Sequence, residues 1–254
     1  MINQSPSGGQ WSRSPQTLEE GEGRDPKIPK IEIVMPAHNE EKKIGKVLEN
    51  IPWDIVHKVI VVDDCSEDNT SEIARQHGAH VVRHEKNRGV GAAYKTGYEI
   101  ALADGADIIV SLHSDGQHDP LEIQKLVDPL VNDGADYVLG SRLKANEIHM
   151  SNTRLLGNRL LTWFIKLMTG YDLTDSQTGY HAISRRALEG LSYSDWSDGF
   201  AVETDTLAQA SAKRLRVKEV PVKCIYSERS HVRAGRDGPK IAWAALKGRI
   251  KRLL

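Results

Sequence analysis

Residues 58–70, KVIVVDDCSEDNT, decide the fold. Four consecutive β-branched residues, Val59 to Val62, form a continuous apolar run that stops abruptly at Asp63-Asp64. Such a run suits a strand buried on both faces, as in a parallel sheet. Beyond it, Ser66, Asp68 and Asn69 are residues that favour turns and helix N-caps, and a helical pattern continues from Asp68 to His77. The same unit recurs on either side: IEIVMP (31–36) precedes a helix over Glu40–Asn50, AHVVRH (79–84) precedes one over Gly89–Ala103, and ADIIVSL (106–112) precedes one over Pro120–Val131, with ADYVLGS (135–141) next. Alternation at this spacing predicts a Rossmann-like, mostly parallel sheet flanked by helices.

After Ser141 the pattern changes to an amphipathic helix over 154–168, a strand near Tyr180–Ile183, a helix over Thr204–Lys213 and a strand LRVKEVPV (215–222). This half reads as a C-terminal α+β appendage. Residues 1–29 are rich in Ser, Gly, Pro and Glu without periodicity and read as a disordered tail. At the other end, residues 227–238 read as a basic, glycine-containing loop. Residues 239–254 read as a basic amphipathic helix with Trp243, Leu246, Ile250, Leu253 and Leu254 on one face.

A length of 254 residues suits one domain, here residues 30–226, and a net charge of −1 argues against a nucleic-acid binder. The average hides an asymmetry: residues 228–254 hold eight Lys or Arg and two acids, 8 − 2 = +6, leaving −1 − 6 = −7 for residues 1–227. Two cysteines, Cys65 and Cys224, give no disulfide framework and no C-x-x-C zinc spacing, so a reducing cytoplasm is the expected compartment. No apolar run reaches the roughly 18–20 residues that span a bilayer.

In an open parallel sheet, ligands bind where strands end. Here those ends are Pro36-Ala37-His38-Asn39-Glu40-Glu41, Asp63-Asp64-Cys65-Ser66 and His113-Ser114-Asp115-Gly116-Gln117. Each alone also reads as a capped turn; three acidic ends converging on one edge are harder to read that way. Gly89-Val90-Gly91 lacks the third glycine of a dinucleotide fingerprint, since Tyr94 stands there, and close backbone packing or approach to a phosphate remain open.

The ordered elements P-x-x-N-E, D-D-x-S-x-D-x-T and x-x-D-G-Q resemble the inverting glycosyltransferases of family 2, especially the dolichyl-phosphate and polyprenyl-phosphate mannosyl- and glucosyltransferases. Asn87-Arg88-Gly89-Val90-Gly91, Gly140-Ser141-Arg142, Asp175-Ser176-Gln177-Thr178-Gly179-Tyr180 and Glu219-Val220-Pro221-Val222 agree with that likeness. It implies a GT-A-type domain and a nucleotide-diphosphate sugar donor held by Pro36, His38, Glu40, Asp63, Asp64, His113, Ser114, Asp115 and Arg142, with His38 where tyrosine is usual. The family's D-x-D becomes His113-Ser114-Asp115, so Mg2+ or Mn2+ is expected on Asp115, with Gln117 and His113 as further ligands. Packing beneath the nucleotide is the other reading of His113.

The acceptor sets the remaining chemistry. A hydroxyl needs a general base, for which Glu203 and Asp205 are the candidates, whereas a phosphate monoester is already ionised and needs arginines. Arg142, Arg154, Asp175, Gln177, Arg229, Arg233 and Arg236 are the expected acceptor and phosphate contacts, with Asp115, Arg142, Glu203 and Arg229 as the catalytic set. The resemblance favours a polyprenyl phosphate at the cytosolic face of a membrane. Two alternatives stand beside it: a soluble hydroxyl acceptor, and a catalytically silent scaffold subunit. The basic helix either lies on a membrane surface, meets a membrane-anchored partner, or docks on its own domain.

Overall fold

The structure, a computed structural model, describes residues 28–145 and 152–224, with side chains 153 and 154 left out. Most of the expected tail, the basic loop with Arg229, Arg233 and Arg236, the helix over 239–254 and the Arg154 side chain lie outside the described residues.

One seven-stranded sheet organises the chain. Its first half alternates β1 (Ile31–Ala37), α1 (Ile44–Glu49), β2 (Val56–Asp63), α2 (Thr70–Gln76), β3 (His80–Arg83), α3 (Val90–Ala103), β4 (Ile108–Ser111), α4 (Ile123–Asn132) and β5 (Tyr137–Ser141). There follow α5 (Asn152–Thr169), β6 (His181–Ser184), α6 (Arg185–Glu189), α7 (Val202–Ala212) and β7 (Val217–Pro221). The strand order is β3-β2-β1-β4-β6-β5-β7, and β6 runs antiparallel to both neighbours while every other pairing is parallel. The half after Ser141 is therefore appended through the sheet itself, with β6 inserted between β4 and β5.

The β-branched run of β2 divides between two cores. Val59 and Val61 join Ile33, Met35, Leu48 and Leu126 on one face; Ile60 and Val62 join Val34, Tyr94, Ile109 and Leu207 on the other. With successive side chains on opposite faces, only a strand covered on both sides needs apolar residues at every position. On the second face α3 lies close: a Cβ at Gly97 would fall 2.2 Å from Val34 Cγ1.

Candidate active site

The carboxyl ends of β1, β2 and β4 are brought level by backbone pairing. Ala37 opposes Asp63, Asp64 N–H donates to Ala37 O at 2.8 Å, and Ser114 Oγ donates to Pro36 O at 2.8 Å. Side chains that read as helix caps stitch the two following loops together instead. Ser66 Oγ accepts from Asn39 N–H at 2.9 Å, Thr70 Oγ1 from Glu40 N–H at 2.8 Å, and Asn39 Oδ1 from Glu67 N–H at 2.8 Å. Asn39 and Cys65 sit at positive φ, 57° and 64°, where these tight turns leave the strands.

Above these ends opens a cleft of about 700 Å³. Of the expected donor set, it is lined by Pro36, His38, Glu40, Asp64, His113, Ser114 and Asp115. Asp63 is elsewhere: fully buried, it accepts from Ser66 N–H at 2.8 Å and from Ser71 Oγ, so it braces the β2 turn rather than the cleft. Asp64 also works on the protein, since Oδ1 accepts from His84 Nδ1 at 2.7 Å and Arg88 N–H at 2.9 Å, and Oδ2 from Gly89 N–H at 2.6 Å. A carboxylate has about four acceptor positions, which leaves room for one ligand donor at Oδ2.

The far wall of the cleft, Ser197 to Ala201, was not anticipated from sequence. This loop is locked onto the start of α3. Asp198 O accepts from Gly91 N–H at 2.7 Å and Ala92 N–H at 3.2 Å, and Lys95 Nζ pairs with Asp198 Oδ1 at 2.5 Å. A Cβ at Gly91 would lie 2.0 Å from Ser197 O, and one at Gly89 2.5 Å from Asp198 O. The glycines of this turn thus permit backbone-to-backbone packing, and the α3 amides are capped by protein rather than turned to a phosphate. From below, Asp205 Oδ2 accepts from Ser197 N–H at 2.7 Å.

Asp115 faces the cleft, with Oδ1 accepting from Gln117 N–H at 3.0 Å. Among the described residues, no three of His, Cys, Asp and Glu converge on a metal site. A single hard carboxylate fits a Mg2+ or Mn2+ whose other ligands are waters and phosphate oxygens. His113 packs its ring against Gly179, where a Cβ would sit 2.2 Å from Nε2, and stacks on Tyr94 at 6.1 Å between centroids. That packing accounts for its position.

The expected acceptor residues form a second cluster. Arg142 donates from Nε to Asp175 Oδ2 at 2.6 Å, from Nη2 to Asp175 Oδ1 at 2.9 Å and from Nη2 to Gln177 O at 2.8 Å. Asp175 is fully buried and also accepts from Asn158 Nδ2 on α5 at 2.9 Å, so it faces Arg142 and not the cleft. Gln177 turns its amide toward Ser176. Behind the cluster, Glu219 accepts from the Thr174 and Asp175 N–H groups at 2.9 and 2.8 Å. Glu203 is buried, and that burial pushes its carboxyl up to about 8 against the opposing pull of Arg142.

Residues 32–191 match the family described as Glycosyl transferase family 2. The chain belongs to that family. This glycosyltransferase is 36% identical over 222 residues to a UDP-N-acetylglucosamine–dolichyl-phosphate N-acetylglucosaminyltransferase of Methanococcus voltae, covering 80% of this chain and 88% of that one. It is 29% identical over 225 residues to a polyprenol monophosphomannose synthase of Mycolicibacterium smegmatis, covering 82% and 83%. The crystal structure of glucosyl-3-phosphoglycerate synthase from Mycobacterium tuberculosis with Mn2+, UDP-glucose and phosphoglyceric acid superposes at a TM-score of 0.69 and 25% identity, covering 87% of this chain and 80% of that one. The sheet is thus the GT-A arrangement expected of a nucleotide-sugar-dependent glycosyltransferase.

Proposed function

We propose that the enzyme transfers a sugar, with inversion, from a GDP- or UDP-sugar to a polyprenyl or dolichyl phosphate at the cytosolic face of a membrane. The observation that carries this reading is the placement of the two candidate bases. Neither lines the cleft: Glu203 is buried behind it, and Asp205 is committed to Ser197 N–H at 2.7 Å. A hydroxyl acceptor needs a carboxylate ready to take its proton. A phosphate monoester, with a second pKa of about 6, brings its own anionic oxygen. The names of the Methanococcus and Mycolicibacterium relatives support the same class of acceptor.

In this reading His38, Glu40 and Asp64 orient the nucleotide along the β1 and β2 ends, and the 197–201 loop closes the cleft opposite them. A Mg2+ or Mn2+ on Asp115 supplies neutralising charge for the departing diphosphate. Arg142, set rigidly by Asp175, offers a positive charge on the acceptor side, and Gln177 holds that guanidinium through its carbonyl. Arg154, Arg229, Arg233 and Arg236 are proposed to complete the phosphate contacts, and the helix over 239–254 to meet the membrane surface or a membrane-anchored partner.

The test supplies GDP- and UDP-sugars with a short-chain polyprenyl phosphate, the matching polyprenol, and soluble saccharides. Release of nucleoside diphosphate is expected only with the phosphate. Equal turnover on polyprenol or saccharide overturns the reading. The phosphoglyceric acid bound in the Mycobacterium structure favours a second reading, a soluble phosphorylated acceptor, which adding phosphoglycerate to the same panel distinguishes.

A further inference from the structure

Helix α5 presents a stripe of large apolar side chains to solvent: Leu156 and Leu160 at 60% exposure each, Trp163 at 62% and Leu167 at 54%. Four of the eight large hydrophobic residues exposed among the described residues therefore lie on one helix. At about 100° per residue, their spacing of 4, 3 and 4 places all four within an arc of roughly 60°. Asn158, Thr162 and Ile165 occupy the other side, where Asn158 holds Asp175, Thr162 bonds Ser176 at 3.1 Å and Ile165 is fully buried. The stripe is thus the outer face of the helix whose inner face braces the Arg142 cluster.

Charge selects the occupant. From Asn152 to Thr169 the helix contains Arg154, Arg159 and Lys166 and no acid. On the helical projection Arg159 and Lys166 fall along one flank of the stripe. Lys166 pairs with Asp172 just beyond the helix at 2.5 Å, in a contact open to solvent, so Arg159 carries the net positive charge of that flank. The segment 239–254 likewise contains five Lys or Arg and no acid, so docking it here sets like charges together; a second copy of α5 does the same. An apolar stripe with a basic flank complements anionic headgroups over acyl chains. No helix among the described residues is long and apolar enough to cross a membrane, so contact of this kind is in the plane of the surface.

We infer that the outer face of α5 is a docking surface for an anionic lipid bilayer, seating the Arg142 cluster directly beneath the membrane plane. The inference rests on the lipid-phosphate reading above and adds the surface through which the acceptor is reached.

The experiment uses the full chain and vesicles that lack any polyprenyl phosphate, either phosphatidylcholine alone or with 30% phosphatidylglycerol. Wild type should co-sediment with the anionic vesicles and lose most of that binding at high salt. Leu160→Gln with Trp163→Gln should lower the partition coefficient at least tenfold, and Arg159→Glu with Lys166→Glu should abolish the preference for anionic lipid. The difference in emission between wild type and Trp163→Phe should be that of a water-exposed indole in buffer and shift to the blue with vesicles. Unchanged partitioning in the Leu160/Trp163 variant overturns the inference. So does a Trp163 emission already blue in buffer, which means protein covers the stripe, or a wild-type dimer that the variant converts to monomer. Transfer to a short-chain, water-soluble prenyl phosphate should persist in that variant; its loss in wild type counts against the acceptor reading instead and leaves the surface to be judged by partitioning alone.

Discussion

The guanidinium of Arg142 and the carboxylate of Asp175 meet in a two-pronged pair, 2.6 and 2.9 Å, with Asp175 wholly buried. Neither residue is adjacent to the other in sequence, and the pair joins the end of β5 to the loop before β6. Burial alone raises the Asp175 carboxyl, but Arg142 and then Asn158 more than reverse it and hold it below the usual range.

Removing one partner of such a pair leaves a buried charge, at a cost of about 3–5 kcal/mol. Asp175→Asn should therefore lower the urea midpoint markedly and reduce transfer, while Arg142→Lys should retain the charge and still lose most activity because the fork geometry is gone. Because the native pKa is depressed, the pair's contribution is present above the unfolded value of about 3.9 and disappears as pH falls through the native one. The gap between wild type and Asp175→Asn should narrow below pH 4.

Glu203 titrates in the opposite sense. Its native carboxyl at about 8 lies above the unfolded value of about 4.3, so the associated stability is complete below pH 4 and falls as pH rises to 8, by at most about 1.4 kcal/mol per unit. Glu203→Gln, which mimics the protonated acid, should remove that slope and be more stable relative to wild type at pH 8 than at pH 5, by urea melts. Transfer to the phosphate acceptor should stay within a fewfold of wild type at pH 7. A loss of a hundredfold or more identifies Glu203 as a base.

Gly91→Ala places a methyl 2.0 Å from Ser197 O, a backbone atom with nowhere to move. Overpacking of this kind costs about 1–3 kcal/mol, and here it pushes on the cleft wall. Donor affinity, read by calorimetry, should fall at least tenfold while the far edge of the sheet keeps its hydrogen-exchange protection.

Asp115→Asn tests the metal. Ligand at about 100 times Kd stabilises by about 2.7 kcal/mol, so the correct nucleotide sugar should raise the wild-type melting temperature further when Mn2+ is present. In the variant the shift should be the same with and without Mn2+, and diphosphate release should stop.

The ends of β1, β2 and β4 were legible in the sequence because runs such as Val59–Val62 have one stable placement, a strand covered on both faces, and the acids after them must then gather on one edge. Asp63 illustrates the limit: adjacent to Asp64 in sequence, it points into the turn, and only the bonds to Ser66 and Ser71 reveal that. The 197–201 loop was illegible for a different reason. Ser197-Asp198-Gly199 has the composition of any turn, and its place in the cleft comes from Asp198 O meeting the Gly91 and Ala92 amides over a hundred residues away in sequence. Likewise, nothing local in four-residue β6 specifies that it pairs antiparallel with β4 and β5. His113 and Gly179 were each noted from sequence, yet their mutual packing required the fold.

The antiparallel strand bears on how relatives can be recombined. Since β6 is hydrogen-bonded on both edges, the end that bears the cleft and the strands that carry the Arg142 cluster share one continuous plate with no seam between them. A chimera that exchanges only the segment after Ser141 must recreate the β4–β6, β5–β6 and β5–β7 registers at once, so that segment is not a detachable module in this chain. An exchange that carries β4 through β7 together has one ladder to recreate, β1–β4, and should fold more readily than one cut at Ser141.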